Sequence, residues 1–285
     1  MAITFGNIAT VSGASASSFN MTKPSGVVAG DLLFIMATAR ANTSISAPSG
    51  WTEVFDSAVA TSYTTALYWK IATSTEVAAS SFQIDFANSG EYRGTCWYYT
   101  GQTFTTPSFT TVQTRTSGTN ISSTGLTPPG ANSKLVIATA FSRPSDATAV
   151  SVSNYAIATS NPSWTERQDV YDTNSSQRMG HALADATRPE ITATGNYSFD
   201  YSTSVGRAWD ILIAIQEIVN VTVSANVVTL TSSLPTPSIS GAANTTATAL
   251  TATFTLLNPT VETQTISWDY EQRPSDSVWV FENQI

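Results

Sequence analysis

One cysteine and one histidine stand in 285 residues, and charged side chains make up only 11% of the chain. Each shortage excludes something. A lone Cys96 cannot close an internal disulfide, and with His181 as the single imidazole there is no His/Cys cluster of the kind that holds zinc; no cofactor or metal is expected. Basic residues number 12 against 20 acidic ones, a net charge of −8, which leaves no cationic footprint to neutralise phosphates. Neither nucleic acid nor an anionic membrane surface is an expected partner. No run reaches the eighteen or so apolar residues of a membrane span, and Met1-Ala2-Ile3-Thr4-Phe5 is not a basic stretch leading into an apolar one. No membrane insertion is expected, and the product should be made soluble in the cytoplasm. A Gly-rich phosphate loop, a basic stripe and a heptad array are also lacking.

What is abundant is hydroxyl: 45 Thr and 38 Ser do the solubilising. Hydrophobic residues at 41% and aromatics at 10% are enough to bury a core. Thr, Val, Ile and the aromatics favour strands, while the Lys, Glu and Arg of helix surfaces are scarce. Strand-like runs bounded by Pro, Gly, Ser and Asn recur at 32–39, 64–72, 81–87, 93–100, 134–141, 178–186, 196–202 and 207–218. The reading is all-β, with no long helix.

Sliding the sequence on itself reveals an ordered internal duplication. Asp31–Arg40 matches Lys134–Arg143, and Pro48-Ser49-Gly50-Trp51-Thr52-Glu53 with Asp56 matches Pro162-Ser163-Trp164-Thr165-Glu166 with Asp169. Ile84-Asp85-Phe86 then matches Phe199-Asp200-Tyr201, and Arg93 matches Arg207. Each half supplies an amphipathic sheet, and two such sheets cover each other as a sandwich. The fold expected is therefore a jelly-roll-like two-sheet β-sandwich over 1–218, built from pseudo-repeats 24–101 and 128–218.

After Ile218 the texture changes. Residues 219–245 read as a strand and a Pro/Gly/Asn-rich linker, and 246–285 as a small C-terminal β region in which Leu250, Ala252, Phe254 and Leu256 alternate with threonines. About forty residues without disulfide or metal are too few to stabilise their own core. The apolar set Leu250, Phe254, Leu256, Trp268, Tyr270, Trp279 and Phe281 is accordingly read as an assembly or docking surface, covered by an identical subunit or a larger shell.

Several short phrases, Pro24-Ser25-Gly26-Val27-Val28-Ala29-Gly30-Asp31-Leu32-Leu33, Pro48-Ser49-Gly50-Trp51-Thr52 and the Arg93-x-x-x-Trp97 strand, resemble a widespread group of tailed-phage virion proteins over about residues 1–218. The second half departs from the pattern, because Asn161-Pro162-Ser163-Trp164 has no Gly before its Trp. The resemblance implies a non-enzymatic virion structural protein: a capsid decoration, minor tail or fibre component that stabilises the particle. Its partners would be major capsid or tail proteins and further copies of itself. The alternative is a carbohydrate- or receptor-binding module that meets a host surface glycan.

His181 lies in an apolar strand with no readable partner, and its expected place is an aromatic's slot in the sheet. Cys96, between Thr95 and Trp97, suits a buried inert thiol. Glu53, Asp56, Glu166 and Asp169 would serve a glycosidase only if two carboxylates stood about 5–10 Å apart, and calcium only if their oxygens converged in one loop. The expectation is instead repeated architecture, with Trp51 and Trp164 in the core and the carboxylates facing water. Tyr63, Tyr68, Trp97, Tyr98 and Tyr99 are the aromatics that could form a sugar platform, although Trp97 and Tyr99 share a face and are expected in the core.

Overall fold

Hydroxyl-rich alternation punctuated by Pro-Ser-Gly turns sets the chain into strands. The structure, a computed structural model, describes residues 3–59, 63–101, 103–144, 149–171 and 177–216, all of which fall in one compact unit, Met1–Thr222. The linker and C-terminal β region expected at 219–245 and 246–285, with Leu250, Phe254, Leu256, Trp268, Tyr270, Trp279 and Phe281, lie outside the described residues.

The first half contributes β1 (Thr4–Thr22), β2 (Leu32–Arg40), β3 (Ile45–Ser46), β4 (Thr52–Val59), β5 (Tyr63–Ile71), the single-turn helix α1 (Ser74–Ala78) and β6 (Ser81–Thr100). The second contributes β7 (Ser108–Phe109), β8 (Gln113–Arg115), β9 (Gly118–Ser123), β10 (Ser133–Pro144), β11 (Val152–Ile157), β12 (Thr165–Tyr171), β13 (Gln177–Arg188), β14 (Tyr197–Val205) and β15 (Arg207–Ile215). The helix begins in a capping box: Thr73 Oγ1 accepts from the Thr75 N–H at 3.2 Å, and Glu76 accepts from the Thr73 N–H at 2.9 Å.

Two antiparallel six-stranded sheets form the sandwich. Their orders are β1-β6-β2-β5-β4, with β3 added to β6, and β7-β15-β10-β13-β12, with β8 added to β15. One order repeats the other. In both, the edge pair carries a bulge at the same point of the Trp-Thr-Glu string: between Glu53 and Phe55 on β4, and between Glu166 and Gln168 on β12.

Counting along the ladders from that shared bulge corrects two of the four landmarks. Met36 pairs with Leu67 and Ala138 with Leu183, so Met36 corresponds to Ala138, one residue away from the sequence match. Thr38 and Ala140 then pair with Arg93 and Trp209, so the counterpart of Arg93 is Trp209 and not Arg207. A slip of one residue exchanges the faces of a strand, and here only the side-chain packing fixes which face is which. The Asp85 and Asp200 landmark holds: Ser46 pairs with Asp85 on β6, and Ser153 with Asp200 on β14.

Each half also covers its own outer face, which the two-sheet reading did not include. β2 is buried on both sides from Leu32 to Ala39. Leu32, Phe34 and Met36 meet Val136, Ala138, Ile211 and Ile213 of the opposite sheet. Leu33, Ile35 and Ala37 instead meet Phe19 and Met21 of β1 and Phe82, Ile84 and Phe86 of β6, because those long paired strands bend back over the sheet they began in. In the second half a separate three-stranded sheet, β11-β14-β9, performs this covering over Leu135, Ile137 and Phe141. Gly94 permits the bend. A Cβ there would stand 2.6 Å from the Phe19 ring and 2.7 Å from the Met21 sulfur.

The turn before Trp51 uses Gly50 at φ 77°, a left-handed conformation glycine adopts freely. The second half replaces that device with a side chain. Asn161 Oδ1 accepts from the Ile157 N–H at 3.0 Å and from Trp164 Nε1 at 2.9 Å, and Ser160 takes the left-handed position at φ 48°.

Candidate functional site

The polar side chains capable of chemistry sit mostly inside the sandwich, where they tie layers together. β13 carries His181 into the space between the two sheets, fully buried. Its Nε2 stands 2.9 Å from Thr38 Oγ1 and its Nδ1 2.9 Å from Thr95 Oγ1, both on the opposite sheet. Thr38 reaches on to Thr65 at 2.9 Å. A neutral imidazole offers one donor and one acceptor, and hydroxyls complement either. Burial, reinforced by the Arg93 charge, holds the imidazole pKa well below its ordinary value. His181 is thus a neutral cross-tie. Its counterpart in the first half is Thr65, since Thr38 pairs with Thr65 and Ala140 with His181, so the aromatic slot expected for it is corrected. Cys96 is fully buried, and burial pushes its thiol well up, which matches the inert reading.

The carboxylates divide by position. Glu53 and Glu166 are exposed, on edge strands of different six-stranded sheets. Asp56 and Asp169, expected to face water, are half-buried and turned inward: Asp56 Oδ2 accepts the Ile45 N–H at 3.0 Å and Asp169 Oδ2 the Val152 N–H at 2.8 Å. Each clasps the strand of the outer layer, β3 or β11, to the edge of its main sheet. Burial raises both carboxyls, Asp169 to about 6, where the Glu166 charge adds to the shift and the Val152 N–H opposes it.

Two buried aspartate clusters were not legible in the sequence. Asp185 on β13, 1% exposed, takes both arms of Arg167 at 2.8 and 3.0 Å and the Tyr99 hydroxyl at 3.1 Å, with Lys134 Nζ at 3.8 Å. Tyr99 belongs to the opposite sheet, so this cluster also joins the halves. Asp210 on β15 accepts from Ser123 Oγ at 2.6 Å and faces Arg115 Nη2 at 3.6 Å. Burial raises its carboxyl, against the Ser123 hydrogen bond and the Arg115 charge. The available signal for both was a lone Asp inside an apolar strand, Ala184-Asp185-Ala186 and Trp209-Asp210-Ile211.

Among the described residues, two grooves that open on the surface have aromatic floors. One, about 460 Å³, lies between α1 and β6, with Trp51 and Phe82 beneath and Thr75, Gln83 and Asp85 on the rim. The other, about 530 Å³, lies between β4 and the 106–112 segment and is floored by Val54, Phe55, Trp69 and Phe109. Of the five aromatics that could form a sugar platform, Trp97 and Tyr99 are buried as expected, and Tyr63, Tyr68 and Tyr98 are buried too, so all five form core. Trp51 is buried as expected, whereas Trp164 is only half-buried beside Tyr155. Among the described residues no three His, Cys, Asp or Glu side chains gather to hold a metal, and no helix is long and apolar enough to cross a membrane.

Compared with protein-family models, curated proteins and solved structures, the chain matches none.

Proposed function

We propose that the protein is a non-enzymatic structural component of a tailed-phage particle, a capsid decoration or tail surface protein that stabilises the shell. The observation that carries this reading is how the reactive side chains are used. His181, Asp56, Asp169 and Asp185 each hold one layer or sheet to the next. Such cross-ties suit a rigid body that withstands load rather than a site that changes protonation during turnover. The phrases at 24–33 and 48–52 add the resemblance to virion proteins. In this reading residues 246–285, with Leu250, Phe254, Leu256, Trp268, Tyr270, Trp279 and Phe281, are the attachment element, and the partners are capsid or tail proteins and further copies of the chain.

Purified particles should carry the protein in fixed stoichiometry, and a chain ending at residue 218 should remain soluble and folded but fail to attach. Absence from particles, with saturable binding on a glycan array, would replace this reading by that of a glycan- or receptor-binding module. The feature favouring that second reading is the groove above Trp51 and Phe82, where an aromatic floor meets the Gln83 and Asp85 side chains, hydrogen-bonded at 2.8 Å.

A further inference from the structure

The repeat gives the sandwich two related clefts, one along each side, where the edge strand of one sheet lies over the opposite edge of the other: β12 over β1, and β4 over β7. Ladder pairing from the shared bulge makes Val54 the counterpart of Arg167, and Trp69 that of Asp185. In the β12 cleft the chain fills the space itself. The Arg167 guanidinium sits 4.8 Å from the centroid of the Phe5 ring and is held by both oxygens of Asp185. In the β4 cleft the same two positions carry no charge, and the groove of about 530 Å³ remains.

We propose that this groove receives a basic side chain, arginine above all, from an extended segment of a partner protein, which supplies in trans the guanidinium-on-aromatic contact that Arg167 makes in cis. Trp69, Phe55 and Phe109 offer the aromatic surface, and Glu53 is the one charged residue on the lining. A guanidinium is weakly hydrated and stacks on aromatic faces, so it tolerates an apolar floor that an ammonium or a carboxylate would not. An uncharged apolar occupant would desolvate Glu53 without compensation. A second copy docked edge to edge would set the exposed Glu53 of β4 against its own like charge, in a chain already at −8. Among the described residues β4 pairs only with β5, and although the Ser57 carbonyl is taken by Trp209 Nε1 at 2.9 Å, the stretch of β4 beside the groove, Thr52–Phe55, is placed to take an added strand. The groove keeps this chemistry whether or not the protein belongs to a phage particle.

The test titrates the full chain with acetyl-Thr-Val-Arg-Val-Thr-amide and with the same peptide carrying Gln in place of Arg, by calorimetry at low and high salt. The Arg peptide should bind at least about tenfold more tightly than the Gln peptide and should weaken with salt. Val54→Arg with Trp69→Asp, which rebuilds here the pair that fills the other cleft, should abolish binding. Should that double variant not fold, Glu53→Arg at an exposed position should give the same loss on an unaltered body. Equal binding of the two peptides, no binding of the Arg peptide, or full affinity in Glu53→Arg would each overturn the proposal.

Discussion

Asp169 Oδ2 stands 2.8 Å from the backbone nitrogen of Val152, and this contact repeats the one between Asp56 and Ile45 at 3.0 Å in the other half. The last residue of each Trp-Thr-Glu-x-x-Asp string is therefore a clasp between layers, which is why the string recurs intact while its surroundings differ.

The Asp169 clasp should be pH-dependent. Burial pushes its carboxyl up to about 6, so the native state keeps a proton that the unfolded chain releases from near 3.8 upward. The associated stability is fully present below about 3.8 and is lost as pH rises through about 6. The group is partly exposed, and screening leaves about 1 kcal/mol, or about 2–4 °C in Tm. Asp169→Asn keeps an acceptor for the Val152 N–H and removes the titration. Its Tm relative to wild type should rise by that amount between pH 4 and pH 7 in thermal melts; a constant difference would refute the assignment.

His181 should act in the opposite sense. Held neutral in the fold, it opposes the proton that the unfolded chain takes up below about 6.5, so its contribution is fully present above that value and is lost progressively as pH falls below it. His181→Gln should remove this slope. His181→Ala should cost about 2–4 kcal/mol, from a cavity and from hydroxyls of Thr38 and Thr95 left without their partner, measured by denaturant unfolding.

The two tryptophans of the repeat should not be equivalent in stability. Trp51 is 8% exposed and meets the Phe82 ring edge-on at 5.1 Å, so Trp51→Ala should cost about 3–5 kcal/mol. Trp164 is half-buried, and Trp164→Ala should cost roughly half as much. Equal losses in urea titrations would mean that exposure misjudges the second site.

Breaking the Asp185 cluster from one side should cost as much as emptying the Trp51 site. Asp185→Ala leaves Arg167 and Lys134 without their anion, at about 3–5 kcal/mol. Arg167→Val combined with Asp185→Trp installs the residues of the first half and should lose less than Asp185→Ala alone. If the double variant is the less stable of the two, the two clefts are not interchangeable in the way their register indicates.

The sequence was legible where it alternates or turns. The Trp-Thr-Glu-x-x-Asp strings and the Asp85 and Asp200 landmark each combine distinctive side chains with a fixed backbone role, and they correspond along the ladders of the two halves. The runs Leu32–Ala39 and Leu135–Phe141 have no period, so sliding one over the other by a residue changes nothing in composition while exchanging inner and outer faces. That lack of period was itself a signal. A strand apolar on both faces needs a cover on each, and the covers are the bent β1–β6 pair and the β11-β14-β9 sheet. The ties of His181 and Asp185 were illegible for a different reason. Their partners Thr38, Thr95 and Tyr99 lie on the other sheet, and only the docking of the halves brings them together.

Every strand of the first six-stranded sheet comes from residues 4–100, so that sheet and its outer cover can close as soon as β6 has left the ribosome. Its other face, with Leu32, Phe34, Met36, Trp97 and Tyr99, then waits for β15, more than a hundred residues later. At bacterial or slower synthesis rates that interval is roughly 5–20 s. During it the nearest matching surface belongs to a neighbouring nascent chain in the same state. The spacing of ribosomes on the message therefore bears on whether first halves meet each other before each meets its own second half.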